Sequence, residues 1–239
     1  MRWRAALPLA GALLAVAQPT LATARRPVPS GQLLVRVLAA KAVHSAPQNT
    51  SAVTTILQPR RPLTGTRTVL PVFARTRDSR GRRWLHVRLP GRTFTDPAPP
   101  ATGWIQPSDT FMSSTPWQLS VDLSARRLRV YRGGRQQRTF RAIVGKPSTP
   151  TPSGAFFIEE NVRLPSGRVG APFALALNAR SSTLQEFDGG PGQIAIHGLG
   201  NVGGQIGTAE SHGCIRLTTP EITWLANRIA PGTPVEVTP

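Results

Sequence analysis

Cys214 is the only cysteine among 239 residues, and it sits in the run Ser211-His212-Gly213-Cys214-Ile215-Arg216-Leu217. A second histidine, His197, lies upstream across a glycine-rich segment. A lone thiol has no disulfide partner within the chain, so it is either an inert buried group or a reactive one. An unperturbed thiol, with a pKa near ~8.5, is only a few per cent thiolate at neutral pH. A nucleophilic cysteine therefore needs a base within hydrogen-bond reach. Two imidazoles qualify. His212 is two residues from Cys214 and shares its face in an extended segment. His197 comes from a different segment and approaches the sulfur from the side, which favours it as the base. The backbone amides of His212, Gly213 and Cys214 are placed to form an oxyanion hole for a tetrahedral intermediate.

The elements that must position these groups are short. Gln193 to His197 alternates as a strand, with Ile194 and Ile196 on one face and Ala195 and His197 on the other. His197 thus emerges at the strand end, where Gly198 begins a loop. Five of the twelve residues from Gly198 to Ala209 are glycine and none is charged, so the loop can fold tightly and bring Ser211 to Cys214 back beside His197. Two other readings use the same residues. His197, His212 and Cys214 with Glu210 are potential zinc ligands, but the spacing matches no common zinc pattern and only one thiolate is present. A free cysteine packed in a core is the other, against which its polar neighbours argue.

Around this segment the chain reads as mostly β. Trp117, Leu119, Val121 and Leu123 alternate with polar residues; Leu128 to Tyr131 and Thr139 to Val144 flank the turn Gly133-Gly134. Ala155 to Ile158 and Phe173 to Leu177 are further strands, and Val235 with Val237 forms a last one. Thr219 is expected to cap one short helix with Pro220 at its first position, Ile222, Leu225 and Ile229 as its apolar stripe, and Pro231-Gly232 as its stop. Before Ser113-Ser114-Thr115-Pro116, which marks a boundary, Leu33 to Leu38, Thr68 to Ala74 and Trp84 to Leu89 read as short strands. Asp78-Ser79-Arg80-Gly81 supplies a hairpin turn, and the pattern indicates a small β-barrel.

Residues 1–24 read as an export signal: Arg2 and Arg4, then an apolar run from Ala5 to Ala17 broken by Pro8, then Ala22-Thr23-Ala24 as a small-residue cleavage site. Export to an oxidising compartment makes a single retained thiol more notable. The net charge is +18, and only Lys41 and Lys146 of the 29 basic residues are lysine. Seven arginines fall between Arg126 and Arg141. Such a balance suits polyanions, namely nucleic acid, anionic headgroups or a bacterial wall, although a solvated arginine-rich surface would have the same composition. No nucleic-acid-binding motif accompanies the charge, so none is expected as a partner.

Two resemblances organise these observations. The order Leu70-Pro71-Val72-Phe73, Gly81-Arg82-Arg83-Trp84-Leu85-His86-Val87-Arg88 and Gly103-Trp104-Ile105 resembles a bacterial SH3-like domain over residues 32–111, which implies a wall-binding or positioning module. Residues 116–238 resemble the L,D-transpeptidase catalytic domain of the YkuD type. The carriers are His197 followed after thirteen residues by Ser211-His212-Gly213-Cys214, together with Gly145-Lys146, Thr149 to Gly154, Phe173-Ala174-Leu175 and Pro231 to Val235. The implied fold is mainly β: an N-terminal SH3-like small barrel, then a β-rich catalytic domain with one short C-terminal helix.

By this resemblance Cys214 is the nucleophile, His197 the base, and the Gly198 carbonyl orients the imidazole. His212, Gly213 and Cys214 line the oxyanion hole, and Ser211 and Arg216 contact substrate. Arg216 departs from members that carry asparagine there, and Leu199-Gly200 departs from the threonine-containing version of that loop. The implied activity is a cysteine-dependent acyl transfer on peptidoglycan stem peptides that releases terminal D-alanine and forms L,D cross-links. Resolution by water instead would make it an L,D-carboxypeptidase. No cofactor or metal is implied. Stem peptides and anionic wall polymers are the expected partners of a monomer in the cell envelope. A papain-like wall peptidase fits less well, because its cysteine precedes its histidine.

Overall fold

The computed structural model describes residues 27–91, 101–181, 183, 186–187 and 190–239; the segment read as an export signal lies outside them. Seven strands make the first sheet: β1 (Gln32–Val37), β2 (Lys41–His44), β3 (Val53–Leu57), β4 (Val69–Arg77), β5 (Arg83–Arg88), β6 (Thr102–Ile105) and β7 (Thr110–Thr115). Their order is β3-β2-β6-β5-β4-β1-β7. Alternation along each strand turns Val35, Val37, Val43, Leu70, Val87 and Ile105 into a closed apolar core. The β4–β5 turn falls where expected: the Asp78 carboxylate accepts the backbone N–H groups of Arg80 and Arg82, each at 2.9 Å. Both histidines here are packing groups. His44 meets Trp84 edge-on at 5.1 Å, and His86 stacks on Trp104 at 4.6 Å. The residues read as a boundary, Ser113 to Thr115, belong to β7, which pairs with β1 from Gln32↔Thr115 to Val37↔Thr110.

The second sheet has eight strands: β8 (Trp117–Asp122), β9 (Arg127–Arg132), β10 (Arg135–Arg141), β12 (Gly154–Arg163), β13 (Phe173–Arg180), β16 (Gln193–His197), β18 (Ile215–Arg216) and β19 (Pro234–Thr238). Two separate two-stranded pairs accompany it: β11 (Val144–Gly145) with β17 (Ala209–Ser211), and β14 (Glu186–Phe187) with β15 (Gly190–Pro191). The order β10-β9-β8-β19-β12-β13-β16-β18 puts the arginine-rich strand at one edge and the strand after Cys214 at the other. One helix, α1 (Thr219–Ala226), covers the apolar face, with Ile222 and Leu225 buried. It starts one residue earlier than expected, because the Glu221 carboxylate accepts the Thr218 backbone N–H at 3.0 Å and so makes Thr218 the cap. It ends at Ala226, short of Pro231-Gly232, while Ile229 still packs in the core beyond it.

The two sheets are joined through β12. Its pairing with β13 slips between Ile158 and Glu160, a bulge that lets the consecutive carboxylates of Glu159 and Glu160 both reach the first sheet. Glu159 pairs with Arg61 and accepts the Gly91 backbone N–H. Glu160 accepts the N–H groups of Leu63 at 3.1 Å and Thr64 at 2.9 Å. Burial pushes the Glu159 carboxyl above the usual carboxylate range, and Arg61 opposes that rise. Phe157, also on β12, is buried in the core of the first sheet; a phenylalanine so placed contributes about 1.5–3 kcal/mol.

Candidate active site

β16 and β18 run parallel, with Ile196 opposite Ile215 and His197 opposite Arg216. Cys214, immediately before β18, therefore lies beside Ala195. The period of two sends Ile194, Ile196, Ile215 and Leu217 into the core and places Ala195, His197, Cys214 and Arg216 together on the opposite face. The register thus brings the thiol and the imidazole side by side without a long connection. They are not hydrogen bonded to one another in the resting structure. His212 stays exposed, whereas His197 is buried.

The His197 ring has a fixed tautomer. Its Nδ1 lies 2.8 Å from the Gly198 carbonyl oxygen, which can only accept, so Nδ1 carries the proton and Nε2 is a free acceptor. Burial pulls the imidazole pKa down to about 4; the Gly198 bond opposes this shift and the Arg216 charge adds to it. The Cys214 thiol is raised above its ordinary value by burial, while the Ala195 backbone N–H and Arg216 pull the other way. Both groups are consequently neutral at pH 7.

The loop before β13 holds the imidazole from behind, a role its sequence does not announce. Gly170 (φ +86°) lies flat on the ring, where a methyl group would come within 2.8 Å of Nδ1. Backbone bonds from Gly170 N–H to Gly200 at 2.7 Å and from Gly198 N–H to Gly170 at 2.9 Å fasten this loop to the chain following His197. Asn201 Nδ2 adds a bond to the Ser166 carbonyl at 2.7 Å. Pro165, Ser166, Gly167 and Pro172 signal a loop in the sequence, but nothing in their spacing says which side chain it covers.

The segment before Cys214 is clamped from within. Ser211 is fully buried, and its hydroxyl donates to the Cys214 carbonyl at 2.6 Å and accepts the Gly213 N–H at 3.2 Å. Thr149 donates to the Ser211 carbonyl at 3.1 Å and Thr151 to the Gly213 carbonyl at 2.7 Å. Gly213 takes φ +111°, a conformation open to glycine, with Ile194 packed close beneath it. Ser211 thus shapes the loop from inside instead of facing outward as expected of a substrate contact, and the Gly213 N–H, expected among the oxyanion donors, is turned onto its hydroxyl. Arg216 is buried as well; among the described residues its guanidinium makes one long bond, to the Gly203 carbonyl at 3.5 Å, and its Nε has no partner. Among the described residues, no three His, Cys, Asp or Glu side chains converge as a metal site.

The model of the YkuD family, the L,D-transpeptidase catalytic domain, matches residues 116–237. The chain belongs to that family. YkuD of Bacillus licheniformis is 35% identical over 124 residues, covering 52% of this chain and 67% of that one. L,D-transpeptidase 1 of Mycobacterium tuberculosis is 31% identical over 129 residues, 49% of this chain and 48% of its own length. A solved L,D-transpeptidase from Mycobacterium tuberculosis H37Rv aligns over 85% of this chain and 95% of its own, at 15% identity and a TM-score of 0.46, too distant to add to the family match. Membership fits peptidoglycan cross-linking and agrees with the mainly β fold with one short helix.

Proposed function

We propose that this chain is an exported L,D-transpeptidase in which Cys214 is the nucleophile and His197 the base. One observation carries the reading: an imidazole with Nδ1–H fixed on the Gly198 carbonyl stands on the sheet face that bears the chain's only thiol. In this scheme Cys214 Sγ attacks the carbonyl carbon of the third residue of a tetrapeptide stem as its proton passes to His197 Nε2. The oxyanion is received by the backbone N–H groups of Cys214 and His212. Collapse breaks the peptide bond, and the departing D-alanine amine takes the proton from His197. The amine of a neighbouring stem then attacks the thioester, gives its proton to His197, and restores the thiol as His197 returns it. Two half-reactions of this kind give ping-pong kinetics. The buried, incompletely paired Arg216 suits a carboxylate of the bound stem. Residues 32–111 are proposed to act as an SH3-like module that holds the enzyme on the wall, a reading supported by their short-stranded β architecture.

The test is release of D-alanine from a purified disaccharide-tetrapeptide. Cys214→Ala should abolish it, and full activity in that variant would overturn the assignment. Mass analysis of the products separates cross-linked dimers from trimmed monomers, the latter marking water as the acceptor. The pH profile is a second check. His197 must be unprotonated to accept the thiol proton, so kcat/KM should fall on acidification only near pH 4. An acid limb at the ordinary imidazole value of ~6.5 would show that the base is not the buried His197.

A further inference from the structure

We infer that the face formed by β9, β10 and the end of α1 is a docking surface for the wall polymer itself, gripping carboxylates of stem peptides away from the reacting bond. The inference rests on the reading that the site works on peptidoglycan. Trp224, on α1, lies under two guanidinium groups, Arg138 at 5.0 Å and Arg228 at 4.4 Å from its ring centroid. Trp117 meets Trp224 edge-on at 6.3 Å and carries Arg132 at 5.4 Å. The three arginines are exposed, and among the described residues none has a carboxylate within 4.0 Å. Stacking on the indoles fixes their planes, so less entropy is lost when they bind.

The chemistry selects the occupant. Both indoles are half-buried beneath guanidinium groups, so the face offers planar cations rather than the bare rings that a membrane interface would take up. Planar forks favour bidentate contact with carboxylate. β10 is an edge strand whose chain continues to Ile143, and Ile143 exchanges backbone bonds with Arg216 of β18 at 2.9 and 3.0 Å, so the capture face is tied to the strand after Cys214 by one short segment. A strand of polymer can then be held while a neighbouring stem enters the site, which raises its local concentration.

The experiment is co-sedimentation of the full chain with insoluble peptidoglycan freed of attached phosphate polymers, over a series of salt concentrations. The combined substitutions Arg132→Gln, Arg138→Gln and Arg228→Gln should weaken binding at least tenfold and flatten its salt dependence, while D-alanine release from soluble disaccharide-tetrapeptide is unchanged. Converting the wall carboxylates to amides should produce the same loss with the unaltered protein. Arg126→Gln and Arg163→Gln together remove exposed charge from the catalytic half outside this face and should leave binding within twofold. Unchanged binding in the first variant, or an equal loss in the second, overturns the proposal. So does binding that vanishes once phosphate polymers are stripped, or a preference for phosphatidylglycerol vesicles. If the soluble peptide is not processed at all, the proposed reaction fails while the sedimentation result still decides the surface.

Discussion

The two sheets use histidine in different ways. In the first, His44 and His86 are plates in aromatic packing, set against Trp84 and Trp104. In the second, His197 makes no aromatic contact; a backbone carbonyl holds one nitrogen and a glycine lies on the ring. Burial lowers the pKa of His86 and His197 alike. Loss of solvent is therefore not what separates the proposed base from a packing histidine. The difference is that a carbonyl fixes the tautomer of His197, and a parallel strand places a thiol on the same face.

That contrast can be broken at three strengths. His197→Ala should cut D-alanine release by about 10²–10⁴-fold with the fold intact by circular dichroism, the range expected when a general base is removed. Gly170→Ala is the sharper test, because it changes no reacting group. Its added methyl would crowd Nδ1 and strain a φ of +86°, so the imidazole must shift. A fall in kcat of about 10–100-fold, with KM little changed, is expected from sub-ångström to ångström misplacement. Equal falls in an unrelated property such as thermal stability would assign Gly170 to the fold alone. The smallest effect belongs to the first sheet. His86→Leu should lower stability by about 1 kcal/mol in a denaturant titration, through the lost ring stacking, and leave turnover unchanged. A pH-dependent rate effect from that substitution would erase the distinction between the sheets.

The juxtaposition of His197 and Cys214 was legible in the sequence because residue type and spacing carry it. The strand Gln193–His197 has the bounds that its alternation implies, and the glycine-rich return needs no tertiary information. What stayed hidden depends on pairing rather than pattern. β3 and β7 read as Val-Thr-Thr-Ile-Leu and Thr-Phe-Met-Ser-Ser-Thr, with too little apolar alternation to announce a strand; backbone bonds to β2 and β1 define them. The inner role of Ser211 was hidden for a related reason. A hydroxyl beside a nucleophile has the same sequence signature whether it faces substrate or, as here, the carbonyl of the next turn. Gly170 shows the limit most clearly, since it packs on the His197 ring from twenty-seven positions away in sequence.

The bulge in β12 bears on how such a protein can be engineered. A shortened chain beginning at β8 would carry Phe157 into water and strip Glu159 and Glu160 of Arg61, Gly91, Leu63 and Thr64. The amino-terminal half is thus less an accessory than a matched lid for one strand of the catalytic half. A foreign module could replace it only by bringing its own cation, its own amides and its own pocket for a phenylalanine.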